Sequence, residues 1–256
     1  KYTLATPDRS LVGTLQYASR WGTNDDLKAL ADYALERHFP EESDLENRYQ
    51  LLLGKVIHLQ AELVAKWMLL GFIHGVMNTD NVTVSGETID YGPCAFMDRF
   101  DPATVFSSID HQGRYAYANQ PKIAQWNLAR FAEAMLPLLA NDEAEAVKLA
   151  EAELRKFSQQ YERYYLDGMR SKLGLSEPDP KDKELVRDLL LLMHEHKADY
   201  TNTFLDLTFE AQSQKGLANS ERFALWKESW QQRVAHQPGG WQNAQALMKR
   251  NNPAVI

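Results

Sequence analysis

The apolar positions of this chain fall mostly into helical repeats. Between Asn24 and Arg37, Leu27, Leu30, Ala31, Ala34 and Leu35 recur with the period of a helix, Asn24 or Asp25 stands where a cap belongs, and Pro40 marks the end. After Ser43 and Asp44 a longer repeat runs through Leu45, Tyr49, Leu52, Leu53, Val56, Ile57, Leu63, Val64, Trp67 and Met68. Gly71 closes it at a position that favours a left-handed residue. Helical spacing returns from Pro121 to about Leu139 and from Asp142 to about Leu173, where interleaved Glu, Lys and Arg predict a solvated face. Beyond the break at Pro178-Asp179-Pro180, helices are expected from Lys183 to His196, from Thr201 to Gln212 and from Glu221 to His236, with Ser220 as the cap of the last. A short final helix follows Pro238-Gly239-Gly240.

Between these helical stretches the texture changes. Phe72 to Asn81 has no helical period, while Val82-Thr83-Val84, Ser85-Gly86-Glu87 and Thr88-Ile89-Asp90 predict strand, turn and strand, a short hairpin. From Tyr91 to Tyr117, Gly, Pro, Asp and aromatic residues mix without sustained periodicity, which predicts an irregular, substrate-facing loop. The expected fold is therefore mainly α, with a short β-hairpin.

Composition narrows the function classes. Hydrophobic residues make up 44% and charged residues 25%, so the chain has material for a core and is too apolar for a disordered tail. Its 35 acidic and 28 basic residues give a net charge of -7, which argues against nucleic acid and anionic membranes as partners. A nucleotide stays compatible, because a divalent cation neutralises the phosphates. Cys94 is the single cysteine, so no intrachain disulfide can form and a cytoplasmic setting is expected. The most apolar stretches are too short to span a bilayer. The chain opens at Lys1 and stops at Ile256 without a signal of a finished domain, and it reads as a fragment.

Chemistry concentrates between His74 and Gly92. His74, Val76 and Asn81 fall at the offsets of the protein-kinase catalytic loop H-R-D-x-x-x-x-N, and Asp90-Tyr91-Gly92 follows where kinases carry D-F-G. In that arrangement the Asn oxygen and the later Asp carboxylate hold a divalent metal against nucleotide phosphates. Asn81 and Asp90 are the corresponding metal-ligand candidates. Val76 stands where a kinase has its proton acceptor, and valine cannot accept a proton; the nearest candidate base is Asp80. Taken singly, Asp80 reads as a turn residue, Asp90 as a surface carboxylate and His74 as a hydrogen bonder that fixes a loop. Their combined spacing carries the assignment. Trp126, Trp226 and Trp230 lie in helical patterns and read as core, and His194 and His196, two apart on a helix, cannot share a metal.

The string Gly71-Phe72-Ile73-His74-Gly75-Val76-Met77-Asn78-Thr79-Asp80-Asn81, with Thr88-Ile89-Asp90-Tyr91-Gly92-Pro93 behind it, closely resembles the selenoprotein O (YdiU) family. Weaker matches at Leu30-Ala31-Asp32-Tyr33, His111-Gln112-Gly113-Arg114-Tyr115, Gln125-Trp126-Asn127-Leu128-Ala129-Arg130 and Asn252-Pro253 extend the resemblance over nearly the whole chain. The resemblance implies a protein-kinase-like C-terminal lobe, taken here as residues 1–140, followed by a helical extension over residues 141–256. It also implies ATP- and metal-dependent (Mg2+ or Mn2+) transfer of AMP to Ser, Thr or Tyr hydroxyls of protein substrates, with Asp80 as proton acceptor, Asn81 as metal ligand and Asp90 touching both metal and nucleotide. Two departures stand out. The family's N-terminal lobe is absent from these residues, and Leu4 and Leu11 occupy positions before Val12-Gly13-Thr14 where the family usually has nucleotide-contacting arginines. The rival readings are a phosphotransferase of the same architecture and a non-catalytic helical binding module.

Overall fold

The computed structural model describes residues 10–213 and 215–253; Leu4 lies outside them. The described chain is mainly helical, with one two-stranded antiparallel sheet. Contacts group it into two compact units, each assembled from separate stretches of sequence. The first holds the described residues through Val64 together with His74–Pro93 and Asn119–Tyr161; the second holds Ala65–Ile73, Cys94–Ala118 and the described residues from Glu162 onward.

The first unit begins with α1 (Val12–Trp21) and α2 (Asn24–His38). The cap of α2 is Thr23, just before the expected Asn24 or Asp25: the Thr23 hydroxyl accepts the Asp26 N–H at 3.2 Å and the Asp26 carboxylate accepts the Thr23 N–H at 2.8 Å. Leu27, Ala31, Ala34 and Leu35 form its buried stripe. No helix was expected over α1; no side chain caps it, and only Val12 and Leu15 along it are buried. It is held instead by packing on α2 and on α4 (Gln120–Leu139), an instance of tertiary contact overriding weak local signal. The helices α3 (Arg48–Leu70) and α5 (Glu143–Lys172) each begin in this unit and run on into the second. The expected boundary at residues 140 and 141 falls in the α4–α5 connection, inside the first unit.

The expected hairpin does not form. Val82, Thr83 and Val84 pair with the chain just before α1: Leu11 bridges Thr83, Val12 N–H donates to Val82 C=O at 2.9 Å and Val84 N–H to Ser10 C=O at 3.0 Å. The turn is closed by a side chain rather than a ladder, since Thr83 Oγ1 donates to Glu87 C=O and accepts Glu87 N–H, both at 2.9 Å. The only strands among the described residues are β1 (Phe72–Ile73) and β2 (Ala95–Phe96), paired Phe72 to Phe96 and Ile73 to Ala95.

The second unit carries β1 and β2, then α6 (Asp182–Glu195), α7 (Tyr200–Phe209), α8 (Lys215–Ala218), α9 (Glu221–Ala235) and α10 (Gly240–Asn251). The α9 helix packs on α6, α8 and α10. Trp226 and Trp230 are core, as expected, with indole N–H groups donating to Leu185 and Leu173 C=O at 2.8 Å. Trp126 is not: it is 43% exposed on the flank of α4, where the Arg130 guanidinium lies 5.3 Å from its ring. The buried face of that helix is taken by Ile123, Ala124, Asn127, Leu128 and Phe131. Asp182 is fully buried and bonded by Arg170 Nε at 2.7 Å and Arg233 Nε at 3.0 Å, so its charge is compensated on both oxygens. Among the described residues no helix is long and apolar enough to cross a membrane.

Lys172 is buried against the Phe100, Tyr117, Tyr200 and Phe204 cluster, its Nζ 4.2 Å from the Phe204 ring centre. Loss of hydration pushes its amine down to about 8 from the usual 10.5. Native and unfolded chains both hold the proton below pH 8, so the burial cost is then present in full. Between pH 8 and 10.5 only the unfolded chain keeps it, and stability rises with pH. A depression of this size corresponds to roughly 3 kcal/mol, offset by roughly 0.5–2 kcal/mol of cation–π attraction. Lys172→Met is expected to raise the melting temperature at pH 7 by about 2–4 °C or more and to flatten the rise above pH 8. Thermal melts across pH 7 to 10 check this; a lower melting temperature at pH 7 would contradict it.

Candidate active site

The chain leaves β1 at His74 and turns at once, because Gly75 has φ +84° and a Cβ there would meet Pro93 Cγ at 2.9 Å. His74 is 1% exposed and spans the loop through its backbone and its ring. Its backbone N–H donates to Gln120 Oε1 at 3.0 Å, its Nε2 lies 2.8 Å from Ile89 C=O, and its Nδ1 accepts the Val76 N–H at 3.4 Å. A carbonyl at Nε2 and an amide donor at Nδ1 assign the proton to Nε2. Burial pushes the imidazole below its ordinary range, against the smaller opposing effects of the Ile89 carbonyl and the Asp90 charge, so the ring is neutral. His74 is the loop-fixing residue that its position after a helix suggested.

Asn81 ends a 3-10 turn, Thr79–Asn81. Its Nδ2 donates to Val76 C=O at 2.9 Å, which turns Oδ1 away from that carbonyl. Val76 thus serves the loop through both backbone groups, N–H to His74 and C=O to Asn81. Asp90 is exposed and in the left-handed region at φ +54°, a conformation Asp tolerates better than most residues. It is followed by a tight turn in which Gly92 N–H donates to Asp90 C=O at 2.7 Å. Asn81 is tied to the Val76 carbonyl, and Ile89, the neighbour of Asp90, to the His74 ring.

Asp80 is exposed and faces the start of α1, where a Cβ on Gly13 would fall 2.0 Å from Asp80 Oδ1 and 3.2 Å from its backbone nitrogen. Gly13 is a site residue that the reading of sequence missed, since nothing local links a glycine at the start of one helix with a loop far downstream. Gln120 is another. Gly13→Ala is expected to displace the Asp80 carboxylate and lower turnover about tenfold or more, with little change in melting temperature; unchanged turnover would show that Asp80 has room to shift. Leu11 lies in the bridge to Thr83.

Among the described residues, the Asp80 and Asp90 carboxylates and Asn81 Oδ1 take part in no hydrogen bond or ion pair. The same residues contain no group of three or more His, Cys, Asp or Glu able to hold a metal ion. The donors therefore do not form an all-protein cage. An ion of the magnesium type takes one or two protein oxygens and completes its shell with phosphate and water.

Residues 10–256 match the family model described as Protein adenylyltransferase SelO. The chain belongs to this family. Three similar relatives, each called Protein nucleotidyltransferase YdiU, come from Halalkalibacterium halodurans (61% identical over 96% of this chain and 50% of the relative), Brevibacillus brevis (59%, over 96% and 50%) and Geobacillus kaustophilus (57%, over 96% and 51%). The chain thus spans about half the length of the curated relatives it matches. Within the SelO family match fall all of the loop residues described above, from Gly13 to Asp90.

Proposed function

We propose that this chain carries the metal and nucleotide chemistry of an ATP-dependent protein adenylyltransferase, on a helical scaffold of the protein-kinase C-lobe type with a helical extension. The observation that carries the reading is the commitment of the Asn81 amide nitrogen to Val76 C=O. It leaves Oδ1 as an oxygen donor, and the Asp80 and Asp90 carboxylates are uncommitted too; these are the donor types that a magnesium or manganese ion on a triphosphate requires. Membership of the SelO family supplies the reaction class.

In this reading Asn81 Oδ1 and the Asp90 carboxylate hold the cation, and Asp90 also contacts the nucleotide. The ion, when bound, neutralises phosphate charge. Asp80 accepts the proton of a Ser, Thr or Tyr hydroxyl on an acceptor protein. That oxygen forms a bond to the α-phosphorus of ATP, the bond from the α-phosphorus to the bridging oxygen breaks, and pyrophosphate leaves. Val76 has no side-chain part in this, which sets the loop apart from the standard kinase arrangement. Cys94, the single cysteine of the sequence, accords with a reducing, cytoplasmic setting.

Label placement tests the reading. The complete protein, given ATP, Mg2+ or Mn2+ and an acceptor protein, is expected to attach label from the α-phosphate and none from the γ-phosphate. Transfer of γ-label would make it a phosphotransferase, and transfer of neither under any metal condition would leave a binding module.

A further inference from the structure

Asn127 lies on the buried face of α4 with no exposed surface, and its Nδ2 donates to Met77 C=O at 2.9 Å. Its Oδ1 is buried without a hydrogen-bond partner. An amide half-satisfied in this way costs about 1–3 kcal/mol, so Asn127 is a poor choice for stability alone, and such local violations gather at functional sites. Two helical turns earlier on the same helix, Gln120, also without exposed surface, accepts the His74 N–H at 3.0 Å. The helix therefore holds the loop at two points, the His74 N–H and the Met77 C=O.

The peptide that Asn127 holds through Met77 C=O adjoins the one whose carbonyl, that of Val76, binds the Asn81 side-chain amide. Rotation of the first peptide would carry the second with it and release Asn81 Nδ2. A free carboxamide can present either end, and only its oxygen ligates a cation. We propose that Asn127 is the positioning residue that fixes the orientation of the Asn81 carboxamide and so keeps Oδ1 facing the metal. The proposal rests on the assignment of Asn81 as a metal ligand, and it deepens that assignment by naming the residue that makes the ligand usable.

The orientation can be read without metal or turnover. In metal-free, full-length protein labelled with 15N-asparagine, the Asn81 side-chain NH2, assigned by its loss in Asn81→Ala, is expected to be protected from solvent exchange. That protection falls tenfold or more in Asn127→Leu and in the gentler Asn127→Ser. Manganese affinity, followed by electron paramagnetic resonance in the presence of a non-hydrolysable ATP analogue, weakens about 10–100-fold in both variants. Phe131→Leu, a core change on the same helix with no bond to the loop, lowers the melting temperature but leaves both readouts as in the wild type. Unchanged Asn81 protection in the Asn127 variants, or an equal loss in Phe131→Leu, overturns the positioning role. If protection falls but neither Asn127→Leu nor Asn81→Ala alters manganese binding, Asn127 orients Asn81 and the metal-ligand assignment is what fails.

Discussion

Asp90→Asn in the complete protein is expected to reduce kcat/KM for AMP transfer by at least about a hundredfold, the scale on which loss of a charge-stabilising group acts in an enzyme site. Asparagine is chosen because it is nearly the same size and is the other residue that readily accepts the left-handed conformation recorded at position 90 (φ +54°). The change therefore removes the charge and leaves the turn to Gly92. Asp90→Val, by contrast, would combine the loss with backbone strain and could not be interpreted. The melting temperature should stay within a degree or two of the wild type, because the side chain is exposed and makes no hydrogen bond among the described residues. Activity within tenfold of the wild type, at any metal concentration, would remove Asp90 from the site.

Asp80→Asn should produce a different kinetic pattern. A positioned general base contributes roughly 10²–10⁴ in rate, so kcat should fall by that order. KM for ATP should change by no more than about threefold, since the group acts on the acceptor hydroxyl and not on the nucleotide. The substitution preserves shape, which matters because the carboxylate lies against the start of α1 at Gly13. Steady-state rates with ATP and acceptor varied separately check this. A large rise in KM for ATP with kcat retained would make Asp80 a binding residue and leave the proton acceptor unassigned.

Most of the helical architecture was legible in the sequence because the apolar repeats are long. In the α3 stripe Leu52, Leu53, Val56, Ile57, Val64, Trp67 and Met68 are buried, as are Trp226 and Trp230 on α9, whereas Leu45 at the start of the repeat is 45% exposed. Short elements were not legible. The α1 helix shows little periodicity, and Val82 to Asp90 alternates like a hairpin although its backbone groups are taken by Ser10, Val12, the Thr83 side chain and His74. Alternation states which side chains can be buried; it does not state which chain supplies the partners. Trp126 shows the same limit, because a helical period leaves the edge of the buried face undetermined and Arg130 covers that ring from outside.

The sequence by itself determined the residue types of the candidate site and their order: a histidine after a long helix, a valine in place of an acid, Asp80 and Asn81 in a turn, and Asp90 before a glycine. Those depend on covalent spacing, and spacing survives without a fold. The tertiary structure alone decided what each group is free to do. It committed the Asn81 nitrogen to Val76 and left its oxygen open, and it made His74 neutral by burying it between Val76 and Ile89. It also brought Gly13 against Asp80, and Gln120 and Asn127 against the loop, from positions tens of residues away. Hydrogen-bond direction and burial are properties of neighbours in space, and distant neighbours leave no periodic trace in the chain.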